Sequence, residues 1–303
     1  MYDVDQDKLT KAQALEIMDG LYLGSHWSNY PVPKIINAKC YDIYLVWSKY
    51  FISKNFASHC NNRAVFKVGF PSDHYFKSLQ KESKLIKDKY SGSFIISYFD
   101  NQLGNDLPQS ENMQFDIYTL LIELLSSHKN LIIFFKPKRQ NEFNNYLLKF
   151  PSLIEFINIG RVRVFFGESQ RDKTSPAKVA LASDLVLGVG ISSAAAEGCF
   201  AGSVSFHINL SQVNNDFDKY GLNKVVFRDL VNLKKAIIDQ INGNGISVDV
   251  CQKYHKILDP FQDGLAYKRT GLILAKIQNE LNKDDNLDNI IKKTKDKFSE
   301  LHC

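Results

Sequence analysis

The chain has 303 residues, 44% hydrophobic and 23% charged, with a formal net charge of +5. That make-up suits a globular protein of one or two domains, and the charge is too mild for a nucleic-acid-binding tail. No apolar run approaches the roughly 20 residues needed to span a bilayer, and the start, MYDVDQDKLTK, lacks the apolar core of a signal peptide. A cytoplasmic protein is therefore expected, at most peripheral at the inner face of the membrane. The five cysteines, Cys40, Cys60, Cys199, Cys251 and Cys303, are odd in number and without CxxC spacing. They read as separate reduced thiols, neither disulfides nor a zinc site.

In chain order, residues 8–18 suit a short helix and 24–33 (GSHWSNYPVP) a loop. Segment 41–47 (YDIYLVW) predicts a strand with a helix after it, and 63–68 (RAVFKV) a second strand, followed by Gly69-Phe70-Pro71. Segment 72–90 is charged and reads as part of a linker. A regular alternation then begins. Strands are predicted at 93–98 (SFIISY), 130–135 (NLIIFF) and 162–166 (VRVFF), and helices at 111–128 and 141–150. The first of these helices puts Phe115, Tyr118, Leu121, Ile122 and Leu125 on one face.

The stretch 177–210 carries the most chemistry. It reads as a short helix, a buried strand (DLVLGV, 184–189), a Gly-Ser turn, a small-residue helix (194–201) and a further strand (SVSFHI, 203–208). A helix N-terminus with Gly190, Ser192 and Ser193 gathers free N–H groups, hydroxyls and the positive end of a dipole, which suits an anion, phosphate above all. Glu197 follows four residues after Ser193, about one turn on, where a carboxylate can accept from two vicinal hydroxyls such as those of a ribose. A βαβ packing unit with a solvated glutamate fits the same spacing. A strand (224–227) and a helix (230–241) follow, then one or two helices over 253–281 and a lysine-rich stretch, 282–303, that reads as a solvated tail. Strands alternating with helices imply a parallel sheet with helices on both faces, whose ligands sit beyond the C-terminal strand ends.

The order of these pieces resembles the nucleotide-binding C-terminal half of GT-B glycosyltransferases, particularly bacterial enzymes of surface-polysaccharide and envelope assembly. The residues concerned are Ala182-Ser183-Asp184-Leu185-Val186-Leu187, then Gly190, Ser192 and Ser193, then Glu197, then Ala201-Gly202-Ser203-Val204-Ser205. Val68-Gly69-Phe70-Pro71 is similar to the segment where such chains pass between domains, and Tyr44–Tyr50 (YLVWSKY) to the strand and helix start before that crossover. Asp259-Pro260-Phe261-Gln262-Asp263-Gly264 is similar to a DPFxDG segment near the end of some sugar-polymer enzymes. The resemblance implies an α/β, GT-B-like fold with a Rossmann-type sheet over 73–250 and a partial N-terminal α/β domain over 1–72. Helices at 251–281 are expected to pack back on the N-terminal part, and 282–303 is the charged tail. Two departures stand out. Only about 70 residues precede Gly69, which supply part of an acceptor domain and not its whole sheet. Ser203 also replaces the proline common after the glycine.

The resemblance further implies a nucleotide sugar as substrate, a glycan or lipid-linked acceptor, and a partner chain that could supply the missing acceptor half. No cofactor, metal or nucleic acid is expected. Lys136, Lys138 and Arg139 end a buried strand and are placed to neutralise a diphosphate leaving group. Asp100, Asn101, Gly104 and Asn105 lie in the first loop of the nucleotide domain. His26 is the candidate general base, although no partner for it is visible; His207 reads as a packed residue. Asp216-Phe217-Asp218 spells the D-x-D metal motif of the other main glycosyltransferase fold, but no run of strands leads into it and a plain loop is expected. Rival readings are a non-hydrolysing sugar-nucleotide epimerase, a glycerophosphate-polymer transferase, and a non-catalytic nucleotide-sugar-binding subunit.

Overall fold

A computed structural model of the chain describes residues 13–15, 17–18, 20–26, 41–52, 62–101, 110–166, 175–211, 216–283 and 285–303. The strands are β1 (Leu23–Ser25), β2 (Ile43–Val46), β3 (Ala64–Lys67), β4 (Phe94–Phe99), β5 (Leu131–Lys136), β6 (Val162–Val164), β7 (Leu185–Val189), β8 (Val204–Ile208) and β9 (Val226–Phe227). The helices are α1 (Phe76–Asp88), α2 (Glu111–Ser127), α3 (Gln140–Leu147), α4 (Pro151–Asn158), α5 (Pro176–Leu181), α6 (Ser193–Phe200), α7 (Asp216–Gly221), α8 (Leu230–Ile241), α9 (Val248–His255), α10 (Ala266–Leu281) and α11 (Leu287–Lys297). The chain forms two compact units, one of Met1–His74 with Lys256–Cys303 and one of Tyr75–His255. No helix among the described residues is long and apolar enough to cross a membrane.

The larger unit is a Rossmann-type sheet. Its six strands run parallel in the order β6-β5-β4-β7-β8-β9, which reverses direction between β4 and β7. The central strands are largely apolar because helices cover them: Ile95, Ile96, Ile133, Phe134, Leu185, Val186 and Leu187 have no exposed surface, nor has the one serine of β4, Ser97. Segment 72–90 is no linker. It supplies α1, whose Ser83 Oγ donates to the Lys178 carbonyl of α5 at 2.9 Å and whose Lys87 pairs with Asp184 at 2.6 Å. The helix expected at 141–150 is α3, and a second helix, α4, begins at Pro151, where proline suits the first helical position. Helix α2 turns most of its expected face inward: Tyr118, Leu121 and Leu125 are buried and Ile122 is half-buried. The buried face also takes in Ile117, Leu120 and Leu124, and Phe115 is exposed.

The smaller unit has a parallel three-stranded sheet, β1-β2-β3. Strand β1 falls where a loop is expected. The rest of that loop, residues 27–33, lies outside the described residues, as do most of 8–18 and the end of the helix predicted after Trp47. The sheet buries Ile43, Leu45, Ala64, Phe66 and Val68 against Ile273 and Ile277 of α10 and against Ile290, Ile291, Phe298 and Leu301. The last four belong to the stretch read as a solvated tail. Two of its lysines, Lys283 and Lys293, turn back onto Glu280 of α10 at 3.0 and 3.3 Å, and Lys276 of α10 pairs with the same carboxylate at 2.6 Å. Those ammonium groups pull the Glu280 carboxyl down to about 2. The grouping of Cys251 with the C-terminal helices is also corrected, since α9 belongs to the larger unit and Cys251 lies on β8.

The GFP turn and the DPFQDG segment meet inside this smaller unit. Asp259 is fully buried, and its carboxylate accepts from the amides of Phe70 (3.0 Å), Phe261 (2.9 Å) and Gln262 (3.4 Å). Arg269 donates from Nε to the Val68 carbonyl at 2.7 Å, pairs with Asp263 at 2.8 Å and lies 3.8 Å from the centre of the Phe261 ring. Gly69 takes φ +90° there, and a Cβ on it would come within 3.0 Å of Arg269 Nη2.

If 287–301 is core and not tail, Ile290→Ala removes buried surface and lowers stability by about 2–4 kcal/mol. Lys292→Ala, on the exposed face of the same helix, changes it by less than about 0.5 kcal/mol. Urea unfolding of both variants checks this; equal, negligible shifts would contradict the packing.

Candidate functional site

The site is built where the sheet order reverses, beyond the C-terminal ends of β4, β5 and β7. Strand register sets one row across that rim: Lys136 of β5 opposite Phe99 of β4, Phe99 opposite Gly188 of β7, and Gly188 opposite His207 of β8. Helix α6 starts immediately beyond. Ser192 is its N-cap and accepts from the Ala195 amide at 3.4 Å. Gly190 turns the chain with φ +70°, its amide donating to the Ile208 carbonyl at 2.7 Å. Gly188 is the penultimate residue of β7, just before that turn. A Cβ there would lie 2.5 Å from Ala195 Cβ and 2.7 Å from Ser192 Oγ, so only glycine lets the helix start this close to the strand.

Glu197, on α6, is buried. Its Oε1 accepts from the hydroxyl of Tyr75 and from the amide of Ala177, at the start of α5, both at 3.1 Å. Burial pushes the carboxyl up to about 7, against the opposing pull of those two donors and of the Lys136 charge. Tyr75 was not legible as a site residue: it lies 122 positions away in sequence and in no recognisable motif. Glu197 is therefore not a solvated side chain: it is buried, braced through Oε1, and carries an elevated pKa.

The basic turn after β5 divides. Lys138 Nζ donates to Asn101 Oδ1 at 3.2 Å, while its amide donates to Asp100. Arg139 precedes α3 and pairs with Glu142 at 3.2 Å. Lys136 ends β5 within electrostatic reach of both Asp100 and Glu197. Burial raises the Asp100 carboxyl to about 7, opposed first by the Lys138 amide. Gly104 and Asn105 lie outside the described residues.

His26 is placed in the smaller unit at the end of β1. Its ring is buried, 4.8 Å from Trp47 and 4.0 Å from Phe51, centre to centre. Trp47 Nε1 donates to its carbonyl at 3.0 Å. Asp218 of the D-x-D sequence accepts from Asn209 Nδ2 at 3.2 Å and pairs with Arg228 at 2.5 Å, a structural role at the end of β8. His207 is packed, as its apolar neighbours suggest, but against a second histidine, His255. Cys199 and Cys251 are free thiols, as expected, but although 52 residues apart in sequence their sulfurs lie 3.4 Å from each other beside His255.

No family profile matches the chain, and no curated protein matches it by sequence. Solved structures do. A putative UDP-N-acetylglucosamine 2-epimerase from Listeria monocytogenes superposes with a TM-score of 0.62 at 14% identity, over 91% of this chain and 71% of that one. S. aureus MnaA, solved with UDP, gives 0.58 at 12% identity over 91% and 80%. A glycosyltransferase from Rickettsia africae gives 0.51 at 12% identity over 90% and 80%. At these identities the likeness establishes the fold: α/β, GT-B-like, with Rossmann-type parallel sheets flanked by helices. These neighbours are nucleotide-sugar enzymes.

Because Glu197 and Asp100 are both held near 7 in the folded chain and near 4 in the unfolded one, the unfolded chain sheds protons first as pH rises. Stability is therefore greatest below about pH 4 from these two groups and is lost as pH climbs through 7. The Glu197 share is on the order of 3 kcal/mol. Glu197→Gln keeps the acceptor for Tyr75 and Ala177 and removes that share, so urea midpoints measured from pH 5 to pH 8 should fall less steeply than in wild type. An unchanged slope would contradict the buried-carboxyl assignment.

Proposed function

We propose that the chain binds a nucleoside-diphosphate sugar at the β4/β7 crevice and transfers the sugar to a hydroxyl of a glycan or lipid-linked acceptor. The observation that carries this reading is the grouping, on the rim of a Rossmann-ordered sheet, of the α6 N-terminus, the buried Glu197 and the cationic Lys136. In this reading the first amides of α6 and the hydroxyls of Ser192 and Ser193 meet the diphosphate. Lys136 neutralises the charge that grows on it as the glycosidic bond breaks. Lys138, bonded to Asn101, and Arg139, paired with Glu142, lie on the same basic turn and would add to its positive charge.

Glu197 Oε1 is already engaged, so Oε2 would accept from the ribose hydroxyls. Because those donors favour the ionised carboxylate, nucleotide affinity would rise with pH through about 7. His26 is given no part as general base, since Trp47 and Phe51 enclose its ring.

Epimerisation of the sugar is the second reading. It is favoured by the higher TM-scores of the two relatives solved as an epimerase and with UDP, 0.62 and 0.58, against 0.51 for the glycosyltransferase. The two reactions separate by product. Transfer releases nucleoside diphosphate only when an acceptor is present; epimerisation converts one nucleotide sugar into an isomer with no acceptor at all. A panel of UDP-sugars with and without glycan acceptors, followed by mass spectrometry and chromatography, decides between them. Binding without turnover of either kind would contradict both and favour a nucleotide-sugar-binding subunit that works with a partner chain.

For binding itself, Glu197→Ala should weaken UDP affinity by about 1.5–3 kcal/mol, roughly 10- to 150-fold. Lys136→Ala should weaken UDP far more than uridine. Calorimetry reads both, and equal affinities of the Glu197→Ala variant and wild type for UDP would remove Glu197 from the site.

A further inference from the structure

Behind the α6 turn lies a cluster that the nucleotide reading does not use. Cys199 of α6, Cys251 and His255 of α9, and His207 of β8 are all without exposed surface. Cys199 Sγ and Cys251 Sγ are 3.4 Å apart, and Cys251 Sγ is 3.7 Å from His255 Nδ1. One donor atom from each of Cys199, Cys251 and His255 falls within 4.8 Å of the other two. A tetrahedral centre with metal–sulfur bonds of about 2.3 Å and a metal–nitrogen bond of about 2.0 Å has edges of roughly 3.5–3.8 Å between its donors. The two measured edges lie close to that range.

The hydrogen bonds of the cluster point the same way. His207 Nδ1 lies 3.3 Å from the Gly190 carbonyl, His207 Nε2 lies 3.0 Å from His255 Nε2, and His255 Nδ1 lies 2.9 Å from the Cys251 carbonyl. Each of these three contacts needs one proton, and two neutral imidazoles carry two. If His207 donates to Gly190 and His255 Nε2 donates to His207, His255 Nδ1 is left as a bare lone pair beside a carbonyl oxygen and two sulfurs. That lone pair can take either the Cys251 thiol proton or a cation. The arrangement is how a metal-bound histidine is usually held, its second nitrogen donating to a fixed partner. The Ser205 amide donates to Cys251 Sγ at 3.2 Å, and as a thiol Cys251 donates to the Ser205 carbonyl at 3.5 Å, a proton that metal binding would displace.

We propose that Cys199, Cys251 and His255 bind one thiophilic metal ion, Zn2+ or Cu+, with His207 positioning His255 from behind. Binding displaces the two thiol protons. Two thiolates with Zn2+ sum to zero charge, which suits an interior this dry, and with Cu+ they leave one negative charge; three protein donors meet the trigonal preference of Cu+ and leave Zn2+ one short of its usual four. Phe200 and Phe217 stand edge-on to the His255 ring and complete the apolar wall. The ion would tie α9 to α6, the helix that carries Ser192, Ser193 and Glu197, and through His207 to the Gly190 turn. Its role would be to hold that helix, not to act on a substrate. The donors come from two places 52 residues apart in the chain, with no CxxC or HxxxH pattern to link them.

The test uses the full wild-type chain purified without chelators. Elemental analysis should find one equivalent of zinc or copper per chain, and its identity distinguishes the two ions. Chain produced in cobalt-supplemented medium should show a thiolate-to-cobalt charge-transfer band in the near ultraviolet. Cys199→Ser and Cys251→Ser should lose metal and band, and Cys303→Ser should keep both. The wild-type measurements stand even if the cluster variants fail to fold. Metal far below one equivalent with no charge-transfer band in the cobalt-grown protein would overturn the proposal, as would a Cys199–Cys251 disulfide found in the freshly purified chain by peptide mapping.

Discussion

The close approach of α6 to β7 is the constraint on which the rest of the larger unit depends. Gly188 admits Ala195 and Ser192 at distances where any Cβ would collide. One turn further along the same helix, a Cβ at Gly198 would come within 3.0 Å of Ser205 Oγ on β8, 3.1 Å of Val186 Cγ2 on β7 and 3.2 Å of Ala180 Cβ. The run Ser193-Ala194-Ala195-Ala196 is small for this reason: larger side chains would lift the helix off the sheet. Held down in this way, α6 presents its capped N-terminus at the rim where the strand order reverses. It also drives Glu197 into the interior, where Tyr75 and the Ala177 amide hold Oε1 and burial raises the pKa to about 7.

The smaller unit rests on a comparable buried carboxylate. Asp259 closes the turn after β3 through the Phe70 amide, and Arg269 covers the same turn from α10. Burial raises the Asp259 carboxyl above its usual range while three amides resist the shift. The chain therefore returns, after the whole of the larger unit, to complete a sheet that it began near Leu23. Helix α11 finishes the task by burying Ile290 and Ile291, with Glu280 neutralising the lysines around it.

Much of the larger unit was legible because its strands are continuous apolar runs at the spacing of a buried parallel sheet. Segments 130–135 and 184–189 differ from β5 and β7 by a single residue at an end or less than two. The turn residues Gly190, Ser192 and Ser193 and the helix carrying Glu197 were legible from the Gly-Ser spacing. What was not legible depends on distant partners. Strand β1 is three residues, Leu23-Gly24-Ser25, with no apolar pattern; only pairing with β2 makes it a strand. Helix α11 reads as a tail until Glu280 is in place beside it. The contact of Tyr75 with Glu197, that of Lys138 with Asn101, and the meeting of Cys199 with Cys251 and His255 are all long-range contacts with no local signature.

Hydrogen–deuterium exchange of the full chain with and without UDP tests the central claim most directly, because it reports where a nucleotide sits with no assumption about the reaction. The account predicts new protection of the backbone over 188–197 and 136–139, and none over β6 or α4. Protection confined to other segments, or no change at saturating UDP, would contradict a nucleotide site at the β4/β7 rim.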